Sequence, residues 1–178
     1  MVNIFLANGF EEVEALTVAD MLRRAEIEVM LVSTESSIYV TGNHNITVKC
    51  DIMLKDAKEC DMIVLPGGLP GVPNLMGNKL VMQLIENQDK CGKRIAAICA
   101  APWILGEIGL TTGKTAVCYP GFEEKLNGAN ISNSKVITDG NITTSKAAGT
   151  AMDFAFELIK ILKDEGIADK VKNSIYFG

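Results

Sequence analysis

Short apolar runs alternate along the chain with segments of helical period. VNIFLA predicts a strand, residues 11–25 a helix, EVMLVS a second strand, and MIVLPGG a third that ends in a glycine pair. A helix over 78–90, a strand over 94–98 and a helix from about residue 101 follow. β-like pieces then fall near 115–118, 135–138 and 142–145, before a strongly amphipathic helix over 150–163. This alternation predicts a doubly wound α/β fold, a mainly parallel sheet flanked by helices. The segment IYVTGNHNITVKCDIML interrupts it with two β-rich pieces around Gly42 and Asn43, a small β-hairpin excursion before the chain returns to the sheet.

Composition narrows the class. At 178 residues, 48% hydrophobic and 22% charged, the chain fits one domain spanning 1–178 with a single substantial core. A net charge of -5 gives no footprint for nucleic acid or an anionic membrane. No stretch approaches the roughly 20 apolar residues of a membrane span, and the start lacks the basic segment of a secretory signal. Cys50, Cys60, Cys91, Cys99 and Cys118 are odd in number and lack CxxC spacing, so neither a disulfide framework nor a zinc site is expected. A reduced, cytoplasmic protein fits these cysteines. HExxH, Walker A and GxGxxG are all absent, and no metal or cofactor is expected.

In a doubly wound sheet the ligand crevice lies beyond the carboxyl ends of the strands, which gives weight to ANGFEEVE, LPGGLPG and Cys99. RIAAICAAPWIL changes from a buried strand to a helix at Cys99, with Ala100 and Ala101 small enough for a tight turn. Such an elbow lifts the side chain out of the sheet and aims backbone N–H groups of the next helix at it, which favours a thiolate nucleophile. The alternative is an inert core cysteine. On a wheel of about 100° per residue, Glu14 falls between Met21 and Ala25, on the apolar arc of Phe10 and Val18. An inward carboxyl needs a partner or a raised pKa, so Glu14 is either functional or paired with a base such as Arg24. Glu11 and Glu12 are explained by the helix dipole. The glycines of LPGG can present an N–H to an oxyanion or form a plain turn. His44, the only histidine, lies in the hairpin, so a Cys-His pair is disfavoured.

ANGFEEVEAL, IVLPGG, AAICAAP and TSKAAGTAMDFA stand in the order and spacing of the ThiJ/PfpI superfamily, and the chain most closely resembles its branch of the parkinsonism-associated protein deglycase and bacterial YajL. The resemblance implies a flavodoxin-like fold and a homodimer. It makes Cys99 the elbow nucleophile, Glu14 its protonated hydrogen-bond partner and Gly68 a donor of a backbone N–H. It implies no cofactor, and a small carbonyl substrate or glycated side chains as partners. Relatives often carry histidine in a THP-like stretch where this chain has VCYPGF, so Tyr119 takes that place. With a pKa near 10, tyrosine is a poor proton shuttle at neutral pH. His44 falls where some members carry a pocket-rim arginine, and Ala147-Ala148 replaces a Gly-Pro pair near the site. Cys118 is either close to the pocket or a buried strand cysteine.

The expected function is a cofactor-independent, cysteine-dependent enzyme of glyoxalase or deglycase type acting on reactive carbonyls. Cys99 would add to the carbonyl, Glu14 manage protons, and the Gly68 and Ala100 N–H groups hold the oxyanion. The rival is a redox sensor or chaperone that uses the same thiol through oxidation. A cysteine peptidase or amidotransferase is disfavoured by the missing histidine.

Overall fold

The computed structural model describes residues 1–178. Its main sheet contains β1 (Val2–Leu6), β2 (Val29–Ser33), β5 (Ile52–Met53), β6 (Met62–Leu65), β7 (Arg94–Ile98), β10 (Val136–Asp139) and β11 (Ile142–Ser145), in the order β10-β11-β7-β6-β1-β2-β5. All neighbours are parallel except β10 and β11, which pair antiparallel at one edge. β3 (Tyr39–Thr41) and β4 (Thr47–Lys49) form the separate antiparallel hairpin that the sequence predicts.

Apolar runs serve here because both faces of the central strands are covered. Val2, Ile4 and Leu6 of β1 pack under α1 (Glu12–Arg24), α5 (Ala151–Leu162) and α6 (Glu165–Ser174). Phe5, Ile63 and Ile95 face α2 (Gly71–Gly77), α3 (Lys79–Lys90) and α4 (Pro102–Glu107). Two-residue periodicity thus splits each strand between two cores.

Three differences from the sequence reading stand out. The short α2 follows the glycine pair with Pro73 inside its first turn, and α6 extends the chain beyond the last expected helix. The piece near 115–118 shrinks to β8 (Thr115–Ala116), which leaves the main sheet and pairs with β9 (Asn130–Ile131). The sheet places β1 between β2 and β6, so connections run outward on both sides of the β1–β6 boundary. The carboxyl ends of β1, β6 and β7 therefore open onto one crevice.

Candidate active site

Cys99 follows β7 directly and has φ +65, a left-handed conformation that costs a non-glycine residue about 1–3 kcal/mol unless its surroundings hold it. Here they do. Its N–H donates to Ser145 O at 2.9 Å, and its carbonyl accepts from Tyr119 N at 2.8 Å. The expected elbow is present. Its helix, however, starts only at Pro102 and is six residues long, so the nearest help for a thiolate is the Ala100 N–H, which points at the sulfur.

Glu14 lies inward, 1% exposed, as its place on the wheel requires. Its Oε2 accepts the Gly67 N–H at 2.8 Å, while Oε1 is buried without a hydrogen-bond partner. Arg24 is not its partner, because that guanidinium pairs with Asp20. Gly67, which sequence reasoning passed over for Gly68, sits between the two groups. A Cβ there would meet Cys99 Cβ at 2.7 Å, Glu14 Oε2 at 2.8 Å and Cys99 Sγ at 3.1 Å. The glycine pair after a buried strand was the available signal, and the first glycine admits the site. The second, Gly68, has φ +98, and its N–H has no protein acceptor.

Burial raises the Glu14 carboxyl to about 7, against the opposing Gly67 N–H and the contact with Cys99. Burial, the Glu14 charge and the Glu14 contact push the Cys99 thiol up to about 12, with only Ala100 N–H pulling down. The site therefore tolerates one negative charge at neutral pH, not two. A Cys99 thiolate at that pH requires the proton to sit on Glu14. The sequence reading asks for both a helix end and a protonated Glu14, and of the helix end only the Ala100 N–H reaches the sulfur.

Glu12 stands in the first turn of α1, as the dipole reading has it, but it is 3% exposed, because the hairpin folds over it. Oε1 accepts the His44 N–H at 2.7 Å and the Ile46 N–H at 3.4 Å, and Oε2 lies 2.9 Å from His44 Nδ1. His44 is thus committed to Glu12, with Glu11 at 3.5 Å, and makes no hydrogen bond to Cys99. Tyr119 is tethered beside the elbow by its N–H, half-exposed, with its ring edge-on to Phe122. Ala147 is extended at φ -171, and Ala148 begins the short turn before α5. Cys118 is buried but lies past the end of β8, in no strand, next to the Tyr119 that bonds the elbow, and burial pushes its thiol up to about 11.

Known proteins share this arrangement of chain. The DJ-1/PfpI family model matches residues 1–161. Protein dj-1beta of Drosophila melanogaster is 37% identical over 89% of this chain and 87% of its own length. A Pyrococcus abyssi deglycase is 30% identical over 90% and 98%, respectively. Protein DJ-1 homolog B of Arabidopsis thaliana is 41% identical over 88% of the chain, which spans only 37% of that longer protein, and homolog A is matched over 44% of its length. The oxidized Toxoplasma gondii DJ-1 structure superposes with a TM-score of 0.96 at 31% identity, covering 99% of this chain and 98% of that one. With the family match running through both core faces and through the Cys99 elbow, the chain belongs to the DJ-1/PfpI family.

Proposed function

We propose that the chain is a cofactor-independent enzyme that acts on reactive carbonyls through Cys99, with residues 1–178 forming one such domain. The observation that carries this reading is the left-handed Cys99 beside a buried Glu14 with a raised pKa. A proton on Glu14 that serves the sulfur spares a buried carboxylate oxygen its missing donor. The thiolate adds to an aldehyde carbon, the C–S bond forms, and the C=O π pair moves to oxygen. Gly68 N–H is free to meet that oxygen, while Ala100 N–H supports sulfur. Glu14 then protonates the oxygen to give a hemithioacetal. With a 2-oxoaldehyde, the Glu14 carboxylate takes the proton from the former aldehyde carbon as the ketone oxygen is protonated, and an enediol forms. Glu14 returns that proton to the neighbouring carbon while the hydroxyl proton of the former aldehyde oxygen is released in exchange for the one the ketone oxygen gained, leaving a thioester. Water cleaves the thioester to a 2-hydroxy acid and regenerates the thiol. The deglycase name of the Pyrococcus relative supports the same substrate class.

The test is conversion of methylglyoxal to lactate by purified protein. Wild type should turn over, Cys99→Ser should fall to the uncatalysed background, and Glu14→Gln should lose about 100-fold or more. Equal rates for wild type and Cys99→Ser would overturn the proposal.

A redox-sensor or chaperone role is the second reading, favoured by the oxidized form of the Toxoplasma relative. Mild peroxide should then add two oxygens to Cys99 before it reaches Cys50, Cys60 or Cys118, all buried with raised pKa. Cys91 is the exposed competitor, so peptide mass spectrometry has to resolve the two. Oxidation of Cys99 without carbonyl turnover selects the sensor.

We also propose a homodimer in a reducing, cytoplasmic setting. No helix is long and apolar enough to cross a membrane. Val13 on α1 and Tyr39 and Ile46 on the hairpin are half-exposed apolar side chains on elements that Glu12 joins. Light scattering should give twice the 19.2 kDa chain mass, and Val13→Glu with Ile46→Glu should halve it. A monomeric wild type would remove the claim.

A further inference from the structure

The first turn of α1 carries Glu14, and nothing local caps it: Glu11 at its start makes no side-chain cap hydrogen bond. A helix start of that kind leaves backbone N–H groups without partners and tends to fray. Glu14 still has to keep its carboxyl beside Cys99, so the turn must be held from elsewhere. Glu12 and Glu14 stand two residues apart, about 200° around the helix. With Glu14 turned to the sheet, Glu12 is turned to the β3–β4 hairpin.

The hairpin grips the turn through that carboxylate. Oε1 takes the His44 and Ile46 N–H groups and Oε2 meets the His44 ring, whose Nδ1 also lies 3.5 Å from Glu11. Bonds to a charged acceptor are about twice as strong as neutral ones. Burial works to raise the Glu12 carboxyl, yet the His44 and Ile46 donors hold it below its ordinary value, so it stays ionised. Gly42 permits the close approach, since a Cβ there would fall on the Glu12 carboxyl. Two backbone bonds of 2.8 Å, Gly9 N–H to Thr41 O and Asn43 N–H to Phe10 O, seat the same hairpin on the loop before α1. From loop and turn the contacts continue to the site. Glu11 N–H donates to Gly67 O at 2.9 Å, Gly71 N–H to Gly9 O at 3.1 Å, and Gly67 N–H to Glu14 Oε2 at 2.8 Å.

We propose that Glu12 is a positioning residue: it fastens the hairpin to the first turn of α1 and so keeps Glu14 and Gly67 in register with Cys99, an inference that rests on the reading of Cys99 and Glu14 as a proton-sharing pair. Its own side-chain hydrogen bonds to other residues all go to the hairpin, not to the reacting groups. Glu12 has two ways to influence the thiol, and they differ in sign. Acting through its charge, it would disfavour a second negative group, so its removal would lower the pH at which Cys99 becomes reactive. Acting as a hold, it keeps the Glu14 proton available to sulfur, so its removal raises that pH.

The experiment follows iodoacetamide alkylation of Cys99 against pH by peptide mass spectrometry, a readout that needs no carbonyl turnover. Glu12→Ala should raise the midpoint by about one unit, a roughly tenfold slower reaction at pH 6, as Glu14 drifts from the sulfur. Glu12→Gln keeps an oxygen for the His44 and Ile46 N–H groups and should restore the wild-type profile. Gly42→Ala puts a methyl group in the place of the carboxyl without altering α1, and should reproduce the Glu12→Ala shift. It carries the test if Glu12→Ala fails to fold. A wild-type midpoint near 7 that neither Glu12→Ala nor Gly42→Ala moves, or that Glu12→Ala and Glu12→Gln both lower, would overturn the inference alone. A wild-type midpoint near 12 would overturn the reading of the pair, and this inference with it.

Discussion

Replacing Glu14 with glutamine should remove a loss of stability of about 3 kcal/mol that wild type suffers between pH 4.5 and pH 8. The carboxyl titrates at its ordinary value near 4.5 in the unfolded chain and at about 7 in the folded one. Between those values the folded chain holds a proton that the unfolded chain has released, so stability is full below 4.5 and falls as pH rises through 7. The loss does not depend on whether oxygen or sulfur carries the resulting charge, since the pair gives up one proton in either case. A second loss should begin above pH 9, where Cys99 ionises in the unfolded chain while the folded pair holds its second proton up to about 12. Urea titrations of wild type and Glu14→Gln from pH 4 to 8 measure the first effect. Parallel curves for the two proteins would show that Glu14 is not raised.

Gly68→Ala should be the most destabilising small substitution near the site, by about 4 kcal/mol, a fall in Tm on the order of 10 °C. At φ +98 an alanine is strained wherever it finds room, and here it finds none. Its Cβ would lie 2.4 Å from Gly9 O and 2.6 Å from Glu11 N, both backbone atoms of the loop that carries Glu14 toward the sheet. Gly67→Ala offers the informative contrast. Its Cβ would crowd Cys99 Cβ and Glu14 Oε2, but no positive φ adds backbone strain at this position. Thermal melts should therefore show a smaller loss for Gly67→Ala, and alkylation of Cys99 a larger change than its stability explains. Equal melting temperatures for wild type and Gly68→Ala would contradict the close packing of the two loops.

Much of this was legible in the sequence for physical reasons. Strands buried on both faces must be apolar throughout, so β1, β6 and β7 announce themselves, and a strand run that ends in Cys99-Ala100-Ala101-Pro102 marks the corner. A helical wheel placed Glu14 inward because α1 packs on the sheet along one arc. The dipole argument left the burial of Glu12 unseen, because the cover is a hairpin arriving from more than 30 residues along the chain. No periodicity within α1 records that cover. The short α2 was hidden by Pro73 and by the absence of a side-chain cap, whereas α3 was legible from its helical period, and Asn78 caps it with a side chain that accepts from Leu80 N and Val81 N. The charge state of Cys99 was hidden most deeply. Local sequence shows a thiol at a turn, but burial and a neighbouring carboxyl from α1 decide which group keeps the proton.

That proton is the centre of the account, and the pH dependence of iodoacetamide alkylation at Cys99 reports it. The rate should be followed by peptide mass spectrometry, because exposed Cys91 also reacts. Wild type should gain reactivity through about pH 7, where the first proton leaves the pair, and then level off. Glu14→Leu leaves the thiol buried without its donor, so its midpoint should move above the free-thiol value of about 8.5. A wild-type midpoint near 12, or one unchanged in Glu14→Leu, would mean that the charge rests on the carboxylate and that Cys99 is a dormant thiol.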